Sequence, residues 1–376
     1  MKTYLFILLL LVTSTFSQNA RFESLIKTGI DQIYGIEFQK AEQTFRTVQK
    51  EFPHNPAGKF FEAMIDWWRI MLDMESEEFD DQFEDKLDAV IDMCDDILDD
   101  DEKNIDALFF KGGAFGFRGR LYSIRESWMD AALDGKDAMP LVYQVYEADP
   151  DNRDIQLGFG IYNYYASVIP EKYPFIKPFM MFFPQGDKDK GLKQLETVAL
   201  NGRYTKIEAR YFLLTSYYAF EENMDKAMQW ADSLSADFPN NPTFERYKGR
   251  ILVKKGSYTN ASPIFESILT KCDLGLPGYL DRTKRESAYY IGMRHKIQNH
   301  SDSAKVYFEI CEKLSRNLDD DEPSGWLVNS VLYLGMLNDK LGQRQKAIKY
   351  YKEVLEFDER QDSHEKARRY LEKPYK

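Results

Sequence analysis

Cysteine and histidine are scarce in this 376-residue chain, with three of one and four of the other. Cys94, Cys272 and Cys311 are odd in number and far apart, so they imply no disulfide framework. Each falls among apolar helix residues or at a helix end, the usual place of a buried free thiol. His54, His295, His300 and His364 are scattered, and none stands at an HExxH or triad-like spacing. Alternating β-patterned runs are few, and no Gly/Ser-rich or Pro-rich linker divides the chain. Paired carboxylates abound in one run only, where no apolar pocket would raise a pKa for acid catalysis. These absences point away from an enzyme, and neither metal nor cofactor is expected.

Long apolar runs are missing as well. Leu5–Val12 falls far short of the ~20 residues that a spanning helix needs. It follows Lys2 and precedes Thr15 and Ser17, the small residues of a cleavage site before Gln18. Residues 1–17 are therefore expected to be a signal peptide, and 18–376 a chain exported to the periplasm or beyond. No cysteine follows the run to carry a lipid anchor. A net charge of −12 and a pI near 5.1 speak against nucleic acid as a partner.

What the chain has in quantity is apolar and aromatic side chains, 43% and 15%, set at helical spacing. Glu208–Asn241 reads as two amphipathic helices joined by a polar turn at 221–224 and closed by Pro239. Its register recurs. A small residue in a first helix precedes an alanine in the second by 12 positions in four copies: Gly29 and Ala41, Gly249 and Ala261, Gly292 and Ala304, Gly335 and Ala347. Small residues are needed where two helices cross closely. Four residues after each alanine stands an aromatic, Phe45, Phe265, Phe308 or Tyr351, expected to fill the groove of the next hairpin.

These marks resemble the tetratricopeptide repeat, whose period is about 34 residues. The resemblance implies an all-α, right-handed α-solenoid of about seven helical hairpins over 18–376. The central segment GFGIYNYYASVIPEKY, followed by FFPQGDKDKGLKQLE, is similar to the tetratricopeptide-repeat protein 39 and inclusion-body-clearance family. The matching positions are Gly158, Gly160, Pro170, Gly186, Asp187, Gly191 and Leu192. That likeness implies a non-enzymatic shape, with lipid handling or organelle membranes linked to some members.

Three stretches stand out inside the pattern. The hairpin 57–106 carries a strongly acidic run: 18 acidic against three basic residues lie between Asp66 and Asp106, which reads as a solvated face. The glycines of KGGAFGFRGR, 111–120, lack a preceding strand and a Lys-Ser/Thr, so they read as a tight helix crossing rather than a phosphate loop. In 168–186, Pro170, Pro174, Pro178 and Pro184 are expected to prevent a regular helix. Its many Phe and Met side chains would form a flap over the scaffold, or touch a partner, a lipid or a membrane.

In a solenoid of this kind the first helix of each hairpin lines the concave groove, with inward positions at i, i+4, i+7 and i+8. That places Phe212, then the basic rail Arg246, Arg250 and Lys254, then Tyr289, Met293 and Lys296 along the groove. Cations beside aromatics suit an extended peptide. Three like charges stacked on one face should repel, and an anionic partner would relieve them. The expected function is a non-catalytic, exported protein-interaction scaffold. The alternative is a carrier of a lipid or other apolar ligand under the 168–186 flap.

Overall fold

The structure is a computed structural model describing residues 2–150, 152–177, 184–319 and 322–376, with side chains from Gln18 onward. The described residues are helical throughout, with no strand among them, and their contacts group into two units, Met1–Asn240 and Asn241–Lys376.

Unit 1 holds α1 (Lys2–Tyr34), α2 (Phe38–Glu51), α3 (Ala57–Leu72), α4 (Asp80–Asp100), α5 (Ile105–Ile124), α6 (Trp128–Ala148), α7 (Ile155–Lys172), α8 (Lys188–Asn201), α9 (Lys206–Ala219) and α10 (Met224–Asp237). Unit 2 holds α11 (Pro242–Lys254), α12 (Tyr258–Asp273), α13 (Asp281–Ile297), α14 (Ser301–Leu318), α15 (Gly325–Lys340), α16 (Arg344–Val354) and α17 (Ser363–Glu372). Within each unit, consecutive helices pack pairwise and each pair packs on the next. This is solenoid-like stacking of eight hairpins and a terminal helix among the described residues, against about seven hairpins expected. Asn104, Asp187, Asn223, Asn241 and Ser324 each start a helix by accepting a hydrogen bond from a first-turn N–H.

The repeat register has a direct spatial meaning. A Cβ added to Gly29 would lie 2.3 Å from Phe45, one on Gly249 2.5 Å from Phe265, and one on Gly335 2.6 Å from Tyr351. At Gly292 the gap to Phe308 is 3.2 Å. Each aromatic therefore lies on the glycine of its own hairpin. The same ring also reaches the next hairpin, as expected: Phe45 stacks on Phe61 of α3, Phe265 on Tyr290 of α13, and Phe308 meets Tyr333 of α15. One side chain closes a hairpin and joins it to its neighbour.

Seven residues after each of these glycines the backbone turns left-handed, at Ile36, Gly256, Asn299 and Gly342. Gly256 and Gly342 take this conformation without penalty, whereas Ile36 takes it with a β-branched side chain and is buried there.

Two stretches depart from expectation. In 111–120, Gly112 and Gly119 do lie at the α5–α6 crossing, against Leu141 and Asp134, but a Cβ on Gly116 would meet nothing within 4 Å. The helix α7 runs through Val168 and Pro170 to Lys172, where a break was expected. Pro170 lies in the last turn, where it removes one helical hydrogen bond, to the Ala166 carbonyl, and the helix ends two residues later. A single 3₁₀ turn, Pro174–Ile176, follows, with Tyr173 and Phe175 beside Trp128. Residues 178–183, which hold Pro178, Phe179, Met180, Met181, Phe182 and Phe183 of the expected flap, lie outside the described residues.

The glycine–aromatic contact predicts opposite outcomes at two glycines. Tyr351 is buried and its hydroxyl donates to Asp339 at 2.9 Å, so its ring cannot move aside. Gly335→Ala should destabilise by ~1–3 kcal/mol, as overpacking does. Gly116→Ala should stabilise by up to ~1 kcal/mol through helix propensity alone. Urea melts of both variants measure the two signs.

Candidate functional site

The inner side of unit 1 is filled by its own residues. Glu208 on α9 accepts from Tyr34 of α1 at 3.0 Å and pairs with Arg120 of α5. The Arg120 guanidinium lies over the rings of Trp67, at 4.6 Å, and Phe212, at 4.2 Å. Burial, and then the Glu208 carboxylate, push the Tyr34 hydroxyl well above the usual phenol range. Phe212 is 4% exposed, so it packs against this internal ion pair instead of facing an open groove. Its position was legible in the sequence, but Arg120, which covers it from another helix, was not.

The first hairpin also meets the last of unit 1. Glu23 pairs with Arg203, and Tyr34 packs on Phe238. A solvent-open cavity of 1010 Å³ remains along this seam, lined by Lys27, Asp31, Lys206, Arg210 and Asp237 among others. Close by, the buried Asp154 accepts from the N–H groups of Arg203, Tyr204 and Thr205 and from the Thr205 hydroxyl. That carboxylate fixes the loop leading into α9.

Unit 2 carries the other six expected groove residues. Arg246 and Arg250 on α11 converge on Glu286 of α13: Arg246 Nε donates at 2.8 Å and Arg250 Nη2 at 2.7 Å. Glu286 is 2% exposed. The expected mutual repulsion along the rail is therefore replaced by an internal pair, because a carboxylate from the next hairpin sits between the two guanidiniums. Burial alone would raise the Glu286 carboxyl; the two arginines more than offset it and hold it down at about 2. Lys254, at the end of α11, is exposed. The sequence held a signal for Glu286, which is three residues before Tyr289 and on the same helix face.

Tyr289, Met293 and Lys296 do share one face of α13, and all three are half-buried. Tyr289 meets Trp326 and Phe308 edge-on, and Met293 packs on the cluster of Ala304, Phe308, Leu334 and Leu337. Lys296 places its ammonium 4.7 Å from the centre of the Tyr333 ring. Burial, and then Lys340 and Lys366, push the Lys296 ammonium below the usual lysine value. Tyr333, Lys340 and Lys366 come from α15 and α17, and sequence spacing on α13 could not reveal them.

Among the described residues no group of three or more His, Cys, Asp or Glu is placed to hold a metal ion, including within the acidic hairpin. Cys94, Cys272 and Cys311 are free, and Cys94 and Cys311 are buried. No helix among the described residues is long and apolar enough to cross a membrane.

Residues 332–361, from α15 through α16, match the sequence model of the tetratricopeptide repeat. That segment ties the chain, distantly, to tetratricopeptide-repeat proteins. Solved structures with a similar course are low in identity. They include pilF of Pseudomonas aeruginosa, 13% identical, covering 69% of this chain and 96% of that one at a TM-score of 0.44. A tetratricopeptide-repeat protein of Cytophaga hutchinsonii is 14% identical over 81% of this chain and 98% of its own, with a TM-score of 0.37. The human IFIT1 dimer with PPP-AAAA is 14% identical over 86% and 69%, with a TM-score of 0.45. No curated protein matches by sequence, and no match to the tetratricopeptide-repeat protein 39 or inclusion-body-clearance family accompanies these.

The buried pair reverses an expectation about the rail. With repulsion alone, changing Arg246 and Arg250 to Gln would leave stability unchanged or slightly raised. With Glu286 between them, the double variant should lose ~3–5 kcal/mol, because a buried carboxylate is left unpaired. Thermal and urea melts decide the sign.

The same pair has a pH signature. The folded pKa of Glu286, about 2, lies below the ordinary value of about 4.3. Its stabilisation is therefore complete above the unfolded value and is lost as pH falls through the folded one. The stability difference between wild type and Glu286→Gln should shrink as pH drops from about 4.5 towards 2, in urea titrations at each pH.

Proposed function

We propose that this chain is a non-catalytic helical-repeat scaffold that holds a protein or peptide partner on the inner face of unit 2. One contrast carries this reading. The inner side of unit 1 is occupied by Arg120, Glu208 and Tyr34, whereas in unit 2 Tyr289, Met293 and Lys296 stand half-buried along one helix face. Half-buried aromatics, a methionine and a cation are the side chains that anchor a peptide in a groove. Phe212, Arg246 and Arg250 serve the scaffold itself, and Lys254 marks the rim.

Export belongs to the same proposal, supported by Lys2, the Leu5–Val12 run and the small residues Thr15 and Ser17. So does the exclusion of nucleic acid, supported by the net charge of −12. The likeness of 158–192 to the tetratricopeptide-repeat protein 39 and inclusion-body-clearance family enters as shape alone. A second reading, a lipid or other apolar ligand held at 168–186, is favoured by one observation: Phe175 is 59% exposed beside Trp128. Organic extraction of the purified protein followed by mass spectrometry separates the two, since only a carrier yields a bound lipid.

A photo-crosslinking residue at Met293 should capture a polypeptide from an envelope extract. The same residue at Phe212 should capture none. Equal labelling from both positions, or none from Met293, would remove unit 2 as the contact face.

A further inference from the structure

Asn201 and Gly202 are the one Asn-Gly pair in the sequence, where α8 gives way to the loop into α9. The backbone at Gly202 is extended, with φ −63° and ψ 150°, so no left-handed turn calls for glycine there. What calls for it is space. An added Cβ would lie 2.8 Å from the Val198 carbonyl oxygen and 3.0 Å from Oδ1 of Asp154. That buried carboxylate is drawn against the loop by four donors. It accepts from the N–H groups of Arg203, Tyr204 and Thr205, at 2.9, 3.2 and 3.1 Å, and from the Thr205 hydroxyl at 2.7 Å. The grip that fixes the loop thus requires an exposed asparagine to be followed by glycine.

In a free chain the nitrogen of such a glycine can reach the asparagine side chain, because no Cβ obstructs it and the backbone is permissive. Here three contacts keep the two apart. The Gly202 N–H donates to the Val198 carbonyl at 2.7 Å, which ties the nitrogen into the last turn of α8. Nδ2 of Asn201 donates to the Thr197 carbonyl at 3.2 Å, turning the side chain back along the helix and away from that nitrogen. Asp154 then holds residues 203–205, so the segment that would have to swing is anchored on its far side.

We propose that Asn201 is a self-modification site, intact while Asp154 grips the 203–205 loop and converted to isoaspartate when that grip opens. The Gly202 nitrogen attacks the side-chain carbonyl carbon of Asn201, gives up its proton and expels ammonia, closing a cyclic imide. Water then opens the ring at either carbonyl and leaves aspartate or isoaspartate. Water is the sole co-reactant, nothing is oxidised or reduced, and the loss of ammonia makes the change one-way. In isoaspartate the main chain runs through the former side chain and is lengthened, so residues 203–205 no longer fall on Asp154. The same loop carries Arg203 to Glu23 of α1 and sets Tyr204 against Phe61 and Phe110. An opening of unit 1 can therefore leave a permanent mark at the point where its first helix is fastened.

The test ages the full chain at neutral pH and follows Asn201 by peptide mapping with mass spectrometry. The same chain unfolded in guanidinium chloride is the reference. Native protein should convert at least about tenfold more slowly than the unfolded chain, since reaction needs a local opening that breaks several hydrogen bonds. Asp154→Asn keeps the shape but weakens the grip of a charged acceptor, and should convert at least about threefold faster than wild type. Lys305→Gln, on α14 of unit 2, should age as wild type does. Should Asp154→Asn fail to fold, Thr205→Ala, which removes one bond to Asp154, carries the same comparison. Native and unfolded chains converting alike would overturn the proposal, as would folded variants that age no faster than wild type. So would aspartate without isoaspartate, the mark of direct hydrolysis that bypasses the Gly202 nitrogen.

Discussion

A ring pressed against a missing side chain holds these hairpins at their spacing. Where Phe45, Phe265 and Tyr351 meet Gly29, Gly249 and Gly335, even one methyl group would overlap the aromatic. The helices can therefore approach closely enough for the same ring to emerge on the far side and meet the next hairpin's aromatic. Intra-hairpin and inter-hairpin packing are thus one interaction seen from two sides. Because interiors are close-packed and do not deform continuously, the spacing of the stack follows from these few contacts. The remaining helix residues can then vary widely, which is consistent with a repeat that is visible only as four small residues, four alanines and four rings.

Once the helices are set, their inward charges must be accommodated. An isolated ion facing a low-dielectric interior is costly, and a paired one is tolerated when its partner and hydrogen bonds are well placed. Glu208 and Glu286 play equivalent parts in the two units, each lying on the first helix of a hairpin and meeting arginine from other helices. Each converts a face that reads as ligand-binding into structure. Lys296 lies over the Tyr333 ring instead of beside a carboxylate.

The helix-pair architecture was legible in the sequence because it rests on short-range periodicity: Ala304 and Phe308 are one turn apart, and their period shows in a single pass. The site was legible only in part. Tyr289, Met293 and Lys296 share a face for the same local reason. Pairing between hairpins was not visible, since nothing near Arg246 announces that a carboxylate 40 positions onward will arrive between it and Arg250. Pro170 misled in the opposite direction: the helix runs through it and ends two residues later, at Lys172.

The contact between Tyr34 and Glu208 spans 174 positions of chain. In an open repeat array each hairpin touches only its neighbours, so order can spread from any point and ends can fray alone. Unit 1 does not behave as such an array, because its first hairpin is completed by its fifth. Loop-closure entropy must be met before Tyr34 gains its partner, so folding of this unit is slowed and its melting is shared among hairpins. On a ribosome the first helix emerges early, and Tyr34 waits for Glu208 and Phe238 until α9 and α10 have followed. A helix kept waiting in that way is the one most in need of a chaperone.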